Sequence, residues 1–324
     1  MIPKSISNLI LREMVAVDDV IRTSLRSNID LIEKVATHIV GGGGKRLRPA
    51  LVVLSSLASG LNEAGSNHYK LAAVVEFIHT ATLLHDDVVD ESELRRGKAS
   101  ANSVFGNEAA VLVGDFLYSR AFQLVAEVEN LDVTAELANA TNTIAEGEVK
   151  QLIDLGDPNI TENRYFEILI SKTAQLFKTS CRLGAILGNL DDEQSGSLES
   201  YGLNLGIAFQ LIDDALDYRG DESKFGKKIG DDFSQGKVTL PLIHAMKKGS
   251  MSETAFIKDA IKLRSISRLD KLLDILVSTK SIEYVDERAR QQINIAIESL
   301  RPLSDSKYKK CLVDLATFAL IRDS

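Results

Sequence analysis

The chain has 324 residues, of which 44% are hydrophobic and 26% are charged. This composition is typical of a folded globular protein and excludes a largely disordered one. The formal net charge of −8 argues against a nucleic-acid partner, because proteins that bind nucleic acids present a basic face.

Helical periodicity dominates the chain. With only five prolines, long stretches lack the residue that most reliably ends a helix. Apolar residues recur at three- and four-residue steps, which predicts helices over 5–40, 69–91, 107–129, 132–155, 162–188, 196–219, 240–248, 252–262, 267–279, 281–300 and 305–321. The glycines at 41–44 end the first helix, Pro49 lies early in the next, and 220–237 form a loop. The prediction is an all-α fold in a single domain, residues 1–324.

Cysteine usage and the N-terminal sequence bear on the compartment. Cys181 and Cys311 have no metal-binding spacing, so neither a disulfide framework nor a zinc site is indicated, which favours a reducing cytoplasm. The first residues do not have the pattern of a signal peptide. The most apolar stretch, 71–84, contains polar residues and is too short to span a bilayer. We therefore expect a cytoplasmic protein without a transmembrane segment.

Two aspartate-rich motifs stand out, HDDVVD at 85–90 and IDDALD at 212–217. Each lies near the C-terminal end of an apolar helix. Residues at i and i+4 share a helix face, so Asp86 lies above Asp90, and Asp213 above Asp217. Like charges at this spacing, placed at the negative end of the helix dipole, are destabilising.

A divalent cation would reverse the sign of both effects. Magnesium prefers oxygen ligands and commonly binds one or two carboxylates together with substrate phosphate oxygens. A single acidic cluster is most often a solvated helix face, but here two copies are embedded in apolar sequence. The motifs therefore predict a magnesium site, with six candidate ligands: Asp86, Asp87, Asp90, Asp213, Asp214 and Asp217.

Basic residues near these motifs could bind the phosphates of a substrate. Arginine suits bidentate phosphate recognition, and lysine acts as a mobile point charge. The candidates at loops and helix ends are Lys45, Arg46, Arg48, Arg95, Arg96, Lys98, Lys172, Lys227, Lys228 and Lys237. The GGGGKR run is not a nucleotide-binding P-loop, because Arg46 stands where Ser or Thr is required and a helix precedes it.

Taken together, the motifs resemble those of the trans-polyprenyl diphosphate synthases, and within that family most closely the bacterial octaprenyl diphosphate synthases. The resemblance covers nearly the whole chain and is carried by GGKRLRP at 43–49, HDDVVDESELRRG at 85–97, GDFLYSRAF at 114–122, AEGEVKQL at 145–152, SKT at 171–173, FQLIDDALD at 209–217 and GKKIGDDFSQGKVTLP at 226–241.

The resemblance implies an all-α isoprenoid synthase fold, usually a homodimer, that adds isopentenyl diphosphate repeatedly to an allylic diphosphate, such as farnesyl diphosphate. The long all-trans product would supply quinone side chains. Three Mg²⁺ ions per site are implied. The catalytic residues would be Asp86, Asp90, Lys172 and Asp213. The allylic diphosphate would contact Arg95, Lys172, Thr173, Gln210, Lys227 and Lys237. Isopentenyl diphosphate would contact Lys45, Arg48, His79 and Arg96.

Supporting roles and departures also follow from the resemblance. Gln151 and Asp154 match a less direct supporting motif. Where many relatives have Pro, Asn and Leu, this chain has Lys228, Asp231 and Phe233, in the loop that covers the phosphates.

Product length should depend on the residues four and five positions before Asp86, where short-chain relatives commonly carry a bulky aromatic side chain. Here these positions hold Thr82 and Ala81, which predicts an open tunnel and a product near eight isoprene units. The tunnel floor is expected deeper, at Phe116, Phe122 or Gln123. The substitution Ala81→Phe is expected to shorten the product.

Alternatives remain. One is another enzyme of the same fold, either a geranylgeranyl- or farnesyl-length synthase or a terpene cyclase. A second is a non-catalytic subunit of a heteromeric synthase, and a third is a generic cation-binding helical protein. Cyclases usually lack the RRG and GKxTLP elements, and non-catalytic subunits typically lose one aspartate motif, whereas this chain retains all of these. The apolar product also suggests transient membrane contact at its release.

Overall fold

The structure is a computed structural model that describes residues 3–40, 46–61, 66–95, 97–219 and 229–320. Helices form nearly all regular structure in this part of the chain. In the first half these are α1 (Lys4–Leu9), α2 (Leu11–Ser24), α3 (Asp30–Val40), α4 (Leu47–Ala58), α5 (Asn67–Val89), α6 (Ala101–Phe105), α7 (Asn107–Ala126) and α8 (Leu131–Ile153). In the second half they are α9 (Glu162–Leu169), α10 (Gln175–Leu187), α11 (Asp192–Arg219), α12 (Asp231–Ser234), α13 (Leu240–Lys248), α14 (Met251–Leu263), α15 (Leu269–Ser278), α16 (Ser281–Ser299) and α17 (Lys307–Leu320). The prediction of an all-α fold is confirmed.

The region predicted as one helix over 5–40 forms three. The chain turns at Ile10, whose φ of −109° and ψ of 20° are not helical, and again between α2 and α3. In the second turn the Ser27 hydroxyl accepts a hydrogen bond from the Ile29 N–H at 3.2 Å, and the Ser27 N–H donates to Glu33 at 3.0 Å. Such local polar contacts compete with helical hydrogen bonds and so end α2. The apolar residues keep their helical spacing across the turn, so periodicity did not predict it.

A π-helical segment, Ile170–Ala174, interrupts the helix predicted over 162–188. Five-residue π segments of this kind frequently lie at functional sites, because they change the direction of the side chains that they carry. Helix α8 approaches the segment closely at Gly147, where an added Cβ would lie 2.8 Å from the backbone nitrogen of Lys172. Only glycine allows this contact.

The described residues also contain one short hairpin, which periodicity did not predict. Strand β1 (Leu94–Arg95) pairs with β2 (Lys98–Ala99) in antiparallel register directly after α5. Two-residue strands are too short for alternation to reveal them. The hairpin matters because it carries Arg95 back toward the end of α5.

Helices α4, α5, α10 and α11 form the centre of the fold. Every residue of α4 from Pro49 to Ala58 is buried. Helix α4 packs against α5, α10 and α17, while α10 also packs along α11, and α11 along α16. Small residues allow the close crossings: a Cβ added at Gly184 of α10 would lie 2.5 Å from the Ser55 Cβ of α4.

Among the described helices, α7 alone is long and apolar enough to cross a membrane by length and composition. However, 44% of the relevant window is buried inside the fold, and α7 packs extensively on α5. Core helices of this kind meet the same criterion, so α7 is explained by its packing.

The crossing of α4 and α10 gives a stability prediction. Because the Gly184→Ala methyl group has no space, we expect the free energy of unfolding to fall by about 2 kcal/mol. Gly196 on α11 is the matched control, since nothing lies within 4 Å of an added Cβ there. Gly196→Ala should stabilise the protein by roughly 0.5 kcal/mol. Urea unfolding of both variants checks this, and equal effects would contradict the close crossing.

Candidate active site

A cavity of about 710 Å³ opens between α5, α8, the π segment and α11. Its lining combines charged, polar and apolar side chains. The acidic lining residues are Glu76, Asp86, Asp90, Glu148, Asp154, Asp213, Asp214, Asp217, Asp231 and Asp232. The basic ones, among the described residues, are Arg46, Arg48, Arg95, Lys172 and Lys237. Apolar lining residues include Leu83, Ile144, Leu176 and Phe209.

The first aspartate motif divides into two kinds of carboxylate. Asp86 and Asp90 both line the cavity, as expected from their spacing of four residues. Asp87 is 0% exposed and faces the hairpin instead, where Arg95 Nε lies 2.8 Å from each of its carboxylate oxygens. Arg95 Nη2 donates a further hydrogen bond of 2.5 Å. Asp87 therefore fixes Arg95, which lines the cavity, at the end of α5.

The second motif divides in the same way. Asp213 and Asp214 both line the cavity, but Asp214 is buried and its carboxylate accepts a hydrogen bond from the Tyr165 hydroxyl at 2.5 Å and from Gln210 Nε2 at 2.7 Å. Burial, and secondly the nearby Asp232, raises the pKa of Asp214 to about 8. Asp214 therefore holds Tyr165 of α9 and Gln210, one turn earlier on its own helix, in place.

Asp217 lines the cavity but also closes a turn of the chain. Its two carboxylate oxygens accept hydrogen bonds from the backbone N–H groups of Asp231 at 3.2 Å and Asp232 at 3.3 Å. This brings the start of α12 against the end of α11. The geometry favours Asp86, Asp90 and Asp213 as the carboxylates that face a metal. These are the three aspartates that the family resemblance implied as catalytic, whereas the motif pattern alone predicted all six as candidate ligands.

Lys172 lies on the π segment and is surrounded by oxygen atoms. Its Nζ donates to Glu148 at 2.5 Å and to Gln151 at 2.7 Å, and lies 3.4 Å from Asp86. Burial acts to lower the pKa of Lys172, but Asp86 and Glu148 outweigh it and the pKa is raised. The pKa of Glu148 is raised to about 7, first by burial and then by Asp86. Lys172 thus stays protonated beside the first aspartate motif.

A second lysine connects the two sides of the cavity. Lys237 follows α12, and its Nζ donates to Asp90 at 2.7 Å and to Gln235 at 2.8 Å. Residues 229–239 are therefore joined to the end of α5. Thr173 and Gln210, both predicted to contact the allylic diphosphate, lie together, since the Thr173 hydroxyl donates to Gln210 Oε1 at 3.1 Å.

The predicted subsite for isopentenyl diphosphate is partly visible. Arg48 Nη1 lies 3.1 Å from His79 Nε2, and the Arg48 guanidinium stacks on the Phe177 ring at 4.5 Å from its centroid. Both Arg48 and His79 line the cavity. The other predicted phosphate-binding residues, Lys45, Arg96 and Lys227, lie outside the described residues.

The two residues expected to set product length are placed differently. Thr82 lines the cavity, and its hydroxyl donates to the His79 carbonyl at 2.8 Å, whereas Ala81 is fully buried and does not line it. None of the three expected floor residues, Phe116, Phe122 and Gln123, lines the cavity either. Its apolar wall is formed instead by Leu83, Ile144, Leu176 and Phe209.

Some lining residues were not assigned from the sequence. Glu148 pairs with Lys172, Tyr165 donates to Asp214, and Glu76 pairs with Arg46 at 2.6 Å. A charged residue on the inward face of an apolar helix is the signal that could have identified Glu148, since Ile144 precedes it by one turn. The pairs of Tyr165 and Glu76 join distant parts of the chain and leave no local trace in the sequence.

The residues present fit a hard divalent cation. No ready-made cage of three or more His, Cys, Asp or Glu side chains occurs among the described residues. Magnesium does not need one, because it takes one or two carboxylates and completes its shell with water and phosphate oxygens. The ammonium groups of Lys172 and Lys237, against Asp86 and Asp90, show that these carboxylates attract cations.

Within each motif some aspartates face the cavity and others have buried protein partners. Isosteric substitutions of the two kinds are therefore predicted to have different effects. Asp86→Asn removes a cavity-facing charge, so we expect kcat to fall about 10²–10³-fold and magnesium with inorganic diphosphate to stop raising the melting temperature. Asp87→Asn loosens Arg95 only, so activity should fall about tenfold while the stabilisation by magnesium and diphosphate persists. Thermal melts with and without both ions measure this. Equal loss of ion-dependent stabilisation in the two variants would contradict the division.

Comparison with known proteins identifies relatives over nearly the whole chain. The polyprenyl synthetase family model matches residues 29–276. The chain is 44% identical over 321 residues to octaprenyl diphosphate synthase of Escherichia coli strain K12, covering 99% of both chains. It is 40% identical over 312 residues to the geranyl-diphosphate-specific all-trans-nonaprenyl-diphosphate synthase of Rhodobacter capsulatus, covering 96% of this chain and 95% of that one.

A solved structure agrees with these relationships. The polyprenyl synthase of Caulobacter crescentus CB15, complexed with calcium and isoprenyl diphosphate, superposes with a TM-score of 0.94 at 40% identity. The match covers 98% of this chain and 97% of that one.

Proposed function

Because this chain belongs to the polyprenyl synthetase family and has its all-α isoprenoid synthase fold, we propose that it makes octaprenyl diphosphate. It adds successive isopentenyl diphosphate units to an allylic diphosphate, such as farnesyl diphosphate, and the product is a long all-trans polyprenyl diphosphate. One observation carries the proposal: two aspartate motifs and several cations line one cavity whose lining also includes many apolar side chains. Such a cavity fits a substrate with a diphosphate head and a hydrocarbon tail.

The allylic diphosphate is proposed to be held by the charged lining residues. Asp86, Asp90 and Asp213 would hold the magnesium ions, three per site in this proposal. When bound, these ions neutralise diphosphate charge and assist its departure. Arg95, Lys172 and Lys237 donate to the diphosphate oxygens, and so stabilise the charge that develops as the allylic C–O bond breaks. Thr173 and Gln210 are proposed to complete the subsite.

Isopentenyl diphosphate is held nearby by Arg48 and His79, together with Lys45 and Arg96, in this proposal. Its double bond attacks the allylic cation, a new C–C bond forms, and a proton leaves to the released diphosphate. The apolar wall formed by Leu83, Ile144, Leu176 and Phe209 excludes water, which would otherwise quench the cation.

Product mass tests the proposal. Purified protein is incubated with farnesyl diphosphate, labelled isopentenyl diphosphate and magnesium, and the products are identified by mass spectrometry. We expect eight isoprene units and no product when magnesium is chelated. A product of four units would favour the shorter-chain alternative, and no turnover would favour a non-catalytic subunit. Octaprenyl is preferred because the Escherichia coli relative is named an octaprenyl diphosphate synthase.

Chain length is proposed to depend on Thr82, because this residue lines the cavity and Ala81 does not. A ring introduced by Thr82→Phe would project into the path of the tail, so we expect products at least two units shorter. Thr82→Val is the control, since it keeps the shape and removes only the hydroxyl group. Ala81→Phe should also shorten the product, with a loss of stability, because Ala81 is fully packed. An unchanged product from Thr82→Phe would contradict the tunnel.

A homodimer is also proposed. Helices α7 and α8 expose the large apolar residues Val111, Leu112, Phe122, Leu131, Val149, Leu152 and Ile153. An exposed apolar surface of this kind commonly marks a protein interface.

We further propose that the enzyme acts in the cytoplasm, that its product supplies quinone side chains, and that it contacts the membrane transiently at product release. The two cysteines are free and buried, as suits a reducing compartment.

Light scattering tests the dimer. The protein should have twice the chain mass, and Ile153→Glu should shift it toward the monomer, because a charge would be buried in the interface. Met251→Glu is the matched control, since Met251 is also exposed but lies on α14. A monomeric wild-type protein, or dissociation by both substitutions, would contradict the proposed interface.

A further inference from the structure

Arg46 has an unusual backbone conformation immediately before α4. Its φ of 48° and ψ of 33° lie in the left-handed region, which residues with a side chain rarely adopt. Strained residues of this kind persist only where surrounding contacts hold them, and they cluster at functional sites. Arg46 lines the cavity, so the contacts that hold it bear on substrate binding.

An ion pair with Glu76 holds Arg46. Arg46 Nη1 lies 2.6 Å from Glu76 Oε1, and Glu76 is only 7% exposed, in a run of buried apolar residues on α5. A buried carboxylate requires a partner of this kind. Asp18 of α2 is a weaker contact of Arg46, since it is half exposed and its nearest oxygen lies 3.6 Å away.

The Arg46–Glu76 pair lies beside the pair formed by Arg48 and His79. Glu76 and His79 are three residues apart and share a face of α5, so the first turn of α4 is joined to α5 by two adjacent contacts. All four residues line the cavity. Glu76 pairs with Arg46, whereas the Arg48 guanidinium stacks on the Phe177 ring.

We propose that the Arg46–Glu76 ion pair positions Arg48 and His79 for the diphosphate of isopentenyl diphosphate. The inference rests on the proposed function, because it assumes that Arg48 and His79 form that subsite. Without the pair, the first turn of α4 loses one of its two polar contacts with α5, and Arg48 is held less firmly beside His79. The allylic subsite begins ten residues further along α5, at Asp86, and otherwise lies on other elements, so we expect it to be unaffected.

Steady-state kinetics of Glu76→Gln and Arg46→Gln test the proposal, with each substrate varied while the other is saturating. We expect the KM for isopentenyl diphosphate to rise about tenfold in both variants. The KM for farnesyl diphosphate and kcat should stay within about twofold of wild type. Asp18→Asn is the control and should behave as wild type. In calorimetry without metal, isopentenyl diphosphate should bind the two variants correspondingly more weakly.

The double variant Arg46→Gln/Glu76→Gln separates positioning from independent effects. Since the residues act as one unit, the double variant should show about the same rise in KM as each single variant. The proposal would be overturned if the rise in KM of the double variant equalled the product of the two single rises. An unchanged KM for isopentenyl diphosphate, or an equal rise of the KM values for both substrates, would also overturn it. Loss of helical circular dichroism in both single variants would also overturn it, because the pair would then be needed for folding. If wild-type protein neither binds isopentenyl diphosphate nor turns it over, the proposed function itself fails.

Discussion

Repulsion between carboxylates is the constraint on which the active-site end of this fold depends. Ten acidic side chains and five basic ones line the cavity among the described residues. In a partly desolvated cleft this excess is unfavourable, because like charges repel more strongly where water is excluded. The fold relieves the repulsion by placing Lys172 and Lys237 against Asp86 and Asp90. A divalent cation bound to diphosphate would neutralise the remaining excess of negative charge. The repulsion between carboxylates in the unliganded site would therefore favour binding of the cation.

The same constraint explains why the three aspartates of a motif are not equivalent. The middle aspartate of each motif lies about 100° around the helix axis from the first, and its carboxylate is taken up by protein partners, although Asp214 also lines the cavity. Asp87 finds Arg95, and Asp214 finds Tyr165 and Gln210. These buried contacts fix groups that also line the cavity, so each motif supplies charge to the site and organises the neighbouring elements.

Much of this could be predicted from the sequence, and the exceptions share a physical cause. The helices carrying both motifs were predicted within a few residues, because long apolar periodicity is a strong local signal. The π segment at Ile170–Ala174 was not, because its residues continue the helical pattern and only packing against Gly147 reveals the change. The contacts Arg46–Glu76 and Tyr165–Asp214 join residues 30 and 49 positions apart, so no local pattern encodes them. The tunnel floor likewise depends on how helices pack, and the predicted floor residues Phe116 and Phe122 do not line the cavity.

We propose that Asp86, Asp90 and Asp213 hold metal ions against a diphosphate, while Asp87 and Asp214 keep their protein partners. Anomalous scattering from crystals grown with Mn²⁺ and inorganic diphosphate measures this directly. We expect anomalous peaks that bridge the diphosphate to Asp86 and Asp90 on one side and to Asp213 on the other. The contact between Asp87 and Arg95 should be intact. Peaks on Asp87 or Asp214, with Arg95 or Tyr165 displaced, would contradict the proposal, as would diphosphate bound without any metal peak.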